Sequence, residues 1–307
     1  MRRQELAVRA LSKLPGVEIL NVQFQRAPWA TLPGIEMKTA LTTSSITVAG
    51  PGGHAKPMTR EFFDVLCRTA AERGHDYFAY INSDIVVLPA AIDEVVRLRR
   101  ETYTVSRHDV DNLDGDPASG TAVTSGLDMF VVSVDWWGRN CHRFRPYVVG
   151  DSCWDNVYAA VMMCHSNGVI LNRDPLILHE RHPVVWNDAT PTARYNGFVA
   201  ALDARYLSIW CQYWERLKVM RDQGASATDE RALQVDMFLW RPSAAEAAKQ
   251  TVRSIRARLR YWRLRRELAA HQGSARGHVS STFDASSGRL ERRRAPRAAS
   301  AGEDVSV

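Results

Sequence analysis

The stretch His75–Pro89, HDYFAYINSDIVVLP, sets Asn82, Ser83 and Asp84 between two apolar runs. A carboxylate that ends a buried strand lies where open α/β sheets bind ligands, in the crevice outside the strand ends. Mg²⁺ or Mn²⁺ bridging to phosphates is held by one or two such carboxylates. The same three residue types also favour turns and helix caps, which is the competing reading. Ser125, Gly126 and Asp128 stand at the mouth of the run SGLDMFVV. There Gly126 would let a ligand approach the backbone closely, unless Ser-Gly is simply a turn into a buried strand. Asp155, in GDSCWDN, opens a helical stretch beside Cys153, Trp154 and Val157. An apolar setting raises a carboxyl pKa toward the range a general base needs, although a first-turn Asp is also favoured by the helix dipole. His179 and His182, in LHERH, follow a short apolar run. Lys56 follows Gly50-Pro51-Gly52-Gly53-His54, and Arg107 and Asp109 lie in SRHD, read as a loop. The glycine cluster matches no phosphate-loop or dinucleotide fingerprint.

Alternating strand and helix patterns must position these groups. Arg2 to Lys13 reads as a helix that Pro15-Gly16 breaks, followed by a strand over Val17–Val22. Arg26 to Ser45 reads as irregular, Ser45–Ala49 as a strand and Gly50–Gly53 as a loop. Met58 to Arg73 is an amphipathic helix with Phe62, Val65, Leu66 and Ala70 on one face, ended by Gly74. Tyr77–Ile81 reads as a strand covered on both faces. A helix follows over Pro89–Arg100. Glu101 to Thr124 is polar and loop-like, Ser125–Val132 a strand, Ser152–His165 a helix closed by Asn167-Gly168, and Val169–Leu171 a short strand. Helices follow over Asp203–Arg221 and from Pro242 to about His271, and Gly273–Val307 lacks apolar anchors and reads as disordered. This alternation predicts α/β architecture.

Composition excludes several function classes. The chain has 307 residues, 45% hydrophobic and 24% charged, enough for one large core with appendages. Five scattered cysteines without a C-x-x-C pair argue against a disulfide framework or a structural zinc site, and for a reducing, cytoplasmic setting. No apolar run spans a membrane, and the charged N-terminus does not read as a secretory signal. The net charge is +6, but residues 243–307 hold 14 basic and 6 acidic residues, a net of +8, which leaves −2 on the remainder. A nucleic-acid footprint would have to be on the main domain, so that class is not expected.

The motifs NSD, SGLDMFVV, GDSCWDN, NG and LHERH come in this order over about a hundred positions. In that order the chain resembles the catalytic half of GT-A-fold nucleotide-diphospho-sugar glycosyltransferases, in particular the family-2-like group. The resemblance covers about Arg2 to Pro183. It implies a mixed, mostly parallel central sheet flanked by helices. It implies a catalytic domain over residues 1–195 without the family's first strand, a helical extension over 196–272 and the tail 273–307. It implies transfer of a sugar from a nucleotide-diphosphate sugar to a hydroxyl on a glycan or lipid-linked acceptor. Asn82-Ser83-Asp84 stands where the family has DxD, so Asp84 is the implied ligand of an Mn or Mg ion, with His179 or His182 as auxiliary ligand. Asn82 replaces the first acid and departs from the pattern. Lys56, Asn82, Ser83, Asp84, Arg107 and Asp109 are implied on the donor side, and Ser125, Gly126, Asp128 and Trp154 on the acceptor side. Asp155 is the implied base. The rival readings are a non-catalytic nucleotide- or sugar-binding relative and a nucleotidyltransferase.

Between Thr251 and Glu267 seven arginines flank Val252, Ile255, Leu259 and Trp262, an apolar stripe at helical spacing. Such a helix suits the inner face of an anionic membrane. The alternative is a helix that packs its stripe on the domain and leaves its arginines in water.

Overall fold

The computed structural model describes residues 2–25, 35–50, 54–183, 190–239 and 243–277. The chain opens with helix α1 (Arg2–Leu11), strands β1 (Leu20–Phe24) and β2 (Glu36–Leu41), and helices α2 (Ser45–Ala49) and α3 (Thr59–Glu72). Strands β3 (Tyr77–Ile81) and β4 (Ile85–Val87), helix α4 (Pro89–Leu98) and strands β5 (Thr102–Val110) and β6 (Thr121–Ser133) follow. Next come helices α5 (Val134–Asn140) and α6 (Trp154–His165) and strands β7 (Val169–Leu171) and β8 (Ile177–Glu180). Helices α7 (Pro191–Leu202), α8 (Ala204–Asp222), α9 (Ala227–Asp236) and α10 (Ala244–Gly277) complete it. No helix among the described residues is long and apolar enough to cross a membrane.

The molecule is mixed α/β. β1 and β2 form a separate parallel pair, and six strands form a second sheet in the order β3-β6-β5-β8-β4, with β7 also on β5. The expected mostly parallel sheet is not what forms. The pairs β3/β6, β5/β6 and β4/β8 are antiparallel, and only β5/β7 and β5/β8 are parallel. Strand polarity was misjudged because both faces are covered. On β6, Phe130 and Val132 join one core cluster while Met129 and Val131 join another, as the period of two requires. Strands buried on both faces read as continuous apolar runs whichever way they point.

Three local expectations are also corrected. Ser45–Ala49 is a helical turn rather than a strand: the Thr47 hydroxyl accepts from the Ser44 N–H at 3.1 Å, a cap that outweighs the β-branched content. Glu101–Thr124 is not mainly loop, since β5 and the start of β6 lie in it. Arg107 and Asp109 therefore sit on a strand. β5 escaped notice because its buried positions Thr102, Thr104, Ser106 and His108 are polar. The irregular segment before Ser45 contains β2, while residues 26–34 and most of the Gly50–Gly53 loop lie outside the described residues, as does the tail beyond Gly277. α10 extends past Gly273, so the first residues of the expected disordered tail are helical.

The sheet curls. β3 and β4 are its two edges, yet only Asn82, Ser83 and Asp84 join them. Four Cα–Cα steps reach about 14 Å at most, whereas four strand spacings across a flat sheet come to about 19 Å. The short connection therefore holds the two edges closer than a flat sheet allows, at one end of the strands.

Candidate functional site

That curled end collects polar groups from or beside β3, β6, β5, β8 and β4. Asn82 leaves β3, and its N–H donates to the Asp128 carbonyl of β6 at 3.2 Å. Its amide Nδ2 donates to Asp128 Oδ1, and its Oδ1 accepts from the Tyr80 hydroxyl at 2.8 Å. Asp128 Oδ2 accepts from Arg107 of β5 at 3.1 Å. The Arg107 Nε lies 2.9 Å from Asp109 Oδ1, and the same oxygen lies 3.0 Å from His179 Nδ1 on β8. Register sets these contacts, because Asp109 pairs with His179 and His179 pairs with Ile85, the residue after Asp84. The polar chain follows the order of the strands, and it closes on Asp84.

At that closure three ligand atoms converge. His179 Nε2 and His182 Nε2 are 3.1 Å apart, and Asp84 Oδ2 lies 3.7 Å from the first and 3.4 Å from the second. A triangle with these edges has a circumradius of about 2.0 Å, and tetrahedral and related sites hold imidazole and carboxylate ligands at about 2.0–2.2 Å. The tautomers also suit a cation. His182 Nδ1 donates to the Pro183 carbonyl at 2.9 Å, and His179 Nδ1 donates to Asp109. Both Nε2 atoms are thereby directed inward, and Asp109 is the outer carboxylate that orients a ligating histidine. Together these three residues are a group that could hold a metal ion. Two imidazoles with one carboxylate suit Mn²⁺, Fe²⁺, Co²⁺ or Zn²⁺ better than Mg²⁺, which prefers oxygen ligands and water.

The electrostatics follow from this geometry. The hydrogen bond from His179 holds the Asp84 carboxyl at about 2, against the opposing effect of burial. Burial lowers the His179 pKa, but its bonds to Asp109 and Asp84 outweigh that and raise it to about 9. Burial raises Asp128 above the usual carboxylate range, and Arg107 opposes it.

Asp155 stands at the first turn of α6, after Cys153 with φ 75°. Burial raises its carboxyl to about 6, while the Asn156 amide, donating at 2.5 Å, works the other way and the Asp128 charge adds to the rise. Asp155 is half-buried. Tyr80 links the two halves. Its buried hydroxyl feels the charges of Asp128, Asp155 and Asp84 together, and its ring meets Trp154 edge-on at 5.1 Å.

Other expected site residues fall elsewhere. Trp154, expected at the acceptor, is buried against Tyr80, Phe130 and Tyr158 and is a core side chain. Gly126 gives its space to an arginine: a Cβ there would lie 2.9 Å from Arg107 Nε. Asp128 has both oxygens engaged internally. Ser83 is exposed and accepts from Gln4 at 3.2 Å, and Ser125 lies within β6. Lys56 lies 3.3 Å from the buried Asp151 and from the Gly150 carbonyl, just before α6. Sequence reasoning missed Tyr80 and the pairing of Asp109 with His179. Tyr80 had a signal, since residues two apart on a strand share a face; the Asp109 pairing had none without the register.

No protein-family model, curated protein or solved structure matches this chain.

Proposed function

We propose that this chain moves a sugar from a nucleoside-diphosphate sugar to a hydroxyl acceptor, on a GT-A-like variant of the mixed α/β fold. The observation that carries the reading is a convergence. Asp84, His179 and His182 meet at one end of the sheet, and Asp155, with its pKa raised to about 6, lies within electrostatic reach through Asp128 and Tyr80. The order of motifs along the chain supports the same reading.

A divalent cation at the triad, Mn²⁺ rather than Mg²⁺ by its donor set, would neutralise charge growing on the diphosphate. Asp155 accepts the proton of the acceptor hydroxyl while that oxygen bonds to the anomeric carbon and the bond from that carbon to the diphosphate breaks. A carboxylate titrating near 6 is ionised at neutral pH yet basic enough to share that proton. Asn82, itself held by the Tyr80 hydroxyl, keeps Asp128 in place.

The test begins with calorimetric titration of UDP, GDP, dTDP and CDP, each with and without Mn²⁺. Binding of one diphosphate only with metal, lost in Asp84→Ala, is expected. Release of that diphosphate from its sugar conjugates should then vanish in Asp155→Asn while binding persists. Binding with no turnover on any conjugate would make the chain a non-catalytic nucleotide binder. A second reading has its own support. Two histidines and one carboxylate with near-tetrahedral spacing also suit Zn²⁺ with an activated water. Metal binding without affinity for any nucleoside diphosphate would overturn sugar transfer in favour of that hydrolytic reading.

A further inference from the structure

On α10, Arg253, Arg256, Arg260 and Arg263 recur at steps of three and four, so they share one helix face. With Arg194 of α7 they line a cleft of about 780 Å³ between α7, α8 and α10. Phe198, Ala201 and Leu207 also line the cleft, and none of the described residues that line it is a carboxylate. Among the described residues none of the five arginines has an acidic partner. Five unpaired cations beside apolar side chains fit a ligand that is anionic at one end and hydrocarbon at the other.

A second observation is independent of the cleft. Val252, Ile255, Leu259 and Trp262 each precede one of these arginines, so their stripe lies about 100° around the helix. They are 47%, 51%, 62% and 65% exposed. The stripe therefore does not pack on the domain, and the arginines, not the apolar residues, face α7 and α8. Exposed Leu and Trp beside a row of arginines is the pattern of a helix lying in the interface of an anionic bilayer.

We infer that α10 seats the chain on an anionic membrane, with the apolar stripe in the acyl boundary and a lipid phosphate in the arginine-lined cleft. The inference stands whether or not the sugar-transfer reading holds.

The test uses the full chain and sedimentation with vesicles of phosphatidylcholine alone or mixed with phosphatidylglycerol. Binding to the mixed vesicles only, weakened by salt, is expected. The double variant Arg256→Gln/Arg260→Gln should bind about thirtyfold more weakly, from about fivefold per arginine near such a surface. Leu259→Glu/Trp262→Glu should abolish binding, with an unchanged circular-dichroism melt because both side chains are exposed. If that variant melts early, the arginine variant and the salt series decide. Inorganic phosphate should displace no more protein than chloride at equal ionic strength; stronger displacement would mean that the cleft takes a free phosphate and would overturn the membrane assignment. Equal binding to neutral vesicles, or none to either, would also overturn it. So would self-association that Leu259→Glu/Trp262→Glu dissolves, which would make the stripe a contact between copies.

Discussion

Metal binding at Asp84, His179 and His182 should release one proton and tighten steeply with pH. His179 is raised to about 9 by Asp109 and Asp84, so near neutral pH its Nε2, the atom a cation needs, carries a proton. A cation must therefore displace that proton, whereas Asp84, at about 2, is already ionised. The apparent dissociation constant scales as one plus ten to the power of nine minus pH. At pH 7 the handicap is about a hundredfold, about 2.7 kcal/mol at 1.36 per pH unit. Between pH 6.5 and 8.5 the affinity should rise about a hundredfold, and it should level off above 9. Calorimetry with Mn²⁺ or Zn²⁺ in buffers of different ionisation enthalpy reads both the slope and the proton count. Asp109→Asn should move the midpoint down, because Asp109 supports the charged imidazole, and should cost 10- to 100-fold in affinity at high pH through loss of the orienting carboxylate. A flat profile from 6.5 to 8.5, or a cation bound with no proton released, would refute the assignment of Nε2 as ligand.

Three further outcomes follow from the same network. Asp155→Asn should raise the melting temperature while lowering turnover 10²- to 10⁴-fold: the folded pKa of about 6 against an ordinary 3.8 means that ionisation costs stability as pH rises through that window, up to about 3 kcal/mol above pH 6. The wild-type rate should fall tenfold per unit below pH 6, and a flat acid limb would remove Asp155 as base. Asn82→Asp would replace the donor to Asp128 with a second carboxylate; a shared proton gives a raised pKa, so denaturant unfolding should show a loss of about 1–3 kcal/mol at pH 8 that shrinks toward pH 5, and equal loss at both would refute the pairing. Gly126→Ala should push Arg107 off Asp128 and destabilise by about 1–3 kcal/mol, whereas an unchanged melt would show that the arginine finds another route.

The parts of the fold that were legible are those held by their own residues. β3 matches the apolar run Tyr77–Ile81, and α6 starts at Trp154 as its pattern suggests. α3 is stopped by Gly74 at φ 73°, a left-handed position that favours glycine. What was hidden is held from far away. β5 looked like loop because Ser106 is buried against Gln234, 128 positions on, and Thr102 against Ser166 at 2.6 Å. Gln234, fully buried on α9, also meets Asn172 at 2.6 Å, so the late helices complete polar positions of the sheet. The candidate site divides in the same way. Asp84, His179 and His182 were reached from their order along the chain, but their convergence depends on the pairing of Ile85 with His179.

The curled sheet also explains why position 82 is an asparagine. Four carboxylates crowd this end of the molecule, two held below the usual range and two raised above it. Asp84 is held ionised by His179 and is one of the three candidate ligands. Asp109 is kept below its usual range, chiefly by His179 and Arg107 against the pull of burial, and serves as the outer partner of the histidine. Asp128 is buried with its pKa raised, and needs donors on both oxygens, which Arg107 and the Asn82 amide supply. Asp155 accepts from the Asn156 amide and from backbone N–H groups at the start of α6, yet burial still raises it to about 6. An acid at 82 would face Asp128 with no donor between them, and like charges so close cannot both ionise. The second ligand that an acid at 82 would have offered a cation is instead available from β8 and the residues just after it, as His179 and His182. With two histidines and one carboxylate the candidate site is nitrogen-rich, so its cation preference should lie with the first-row transition metals rather than Mg²⁺.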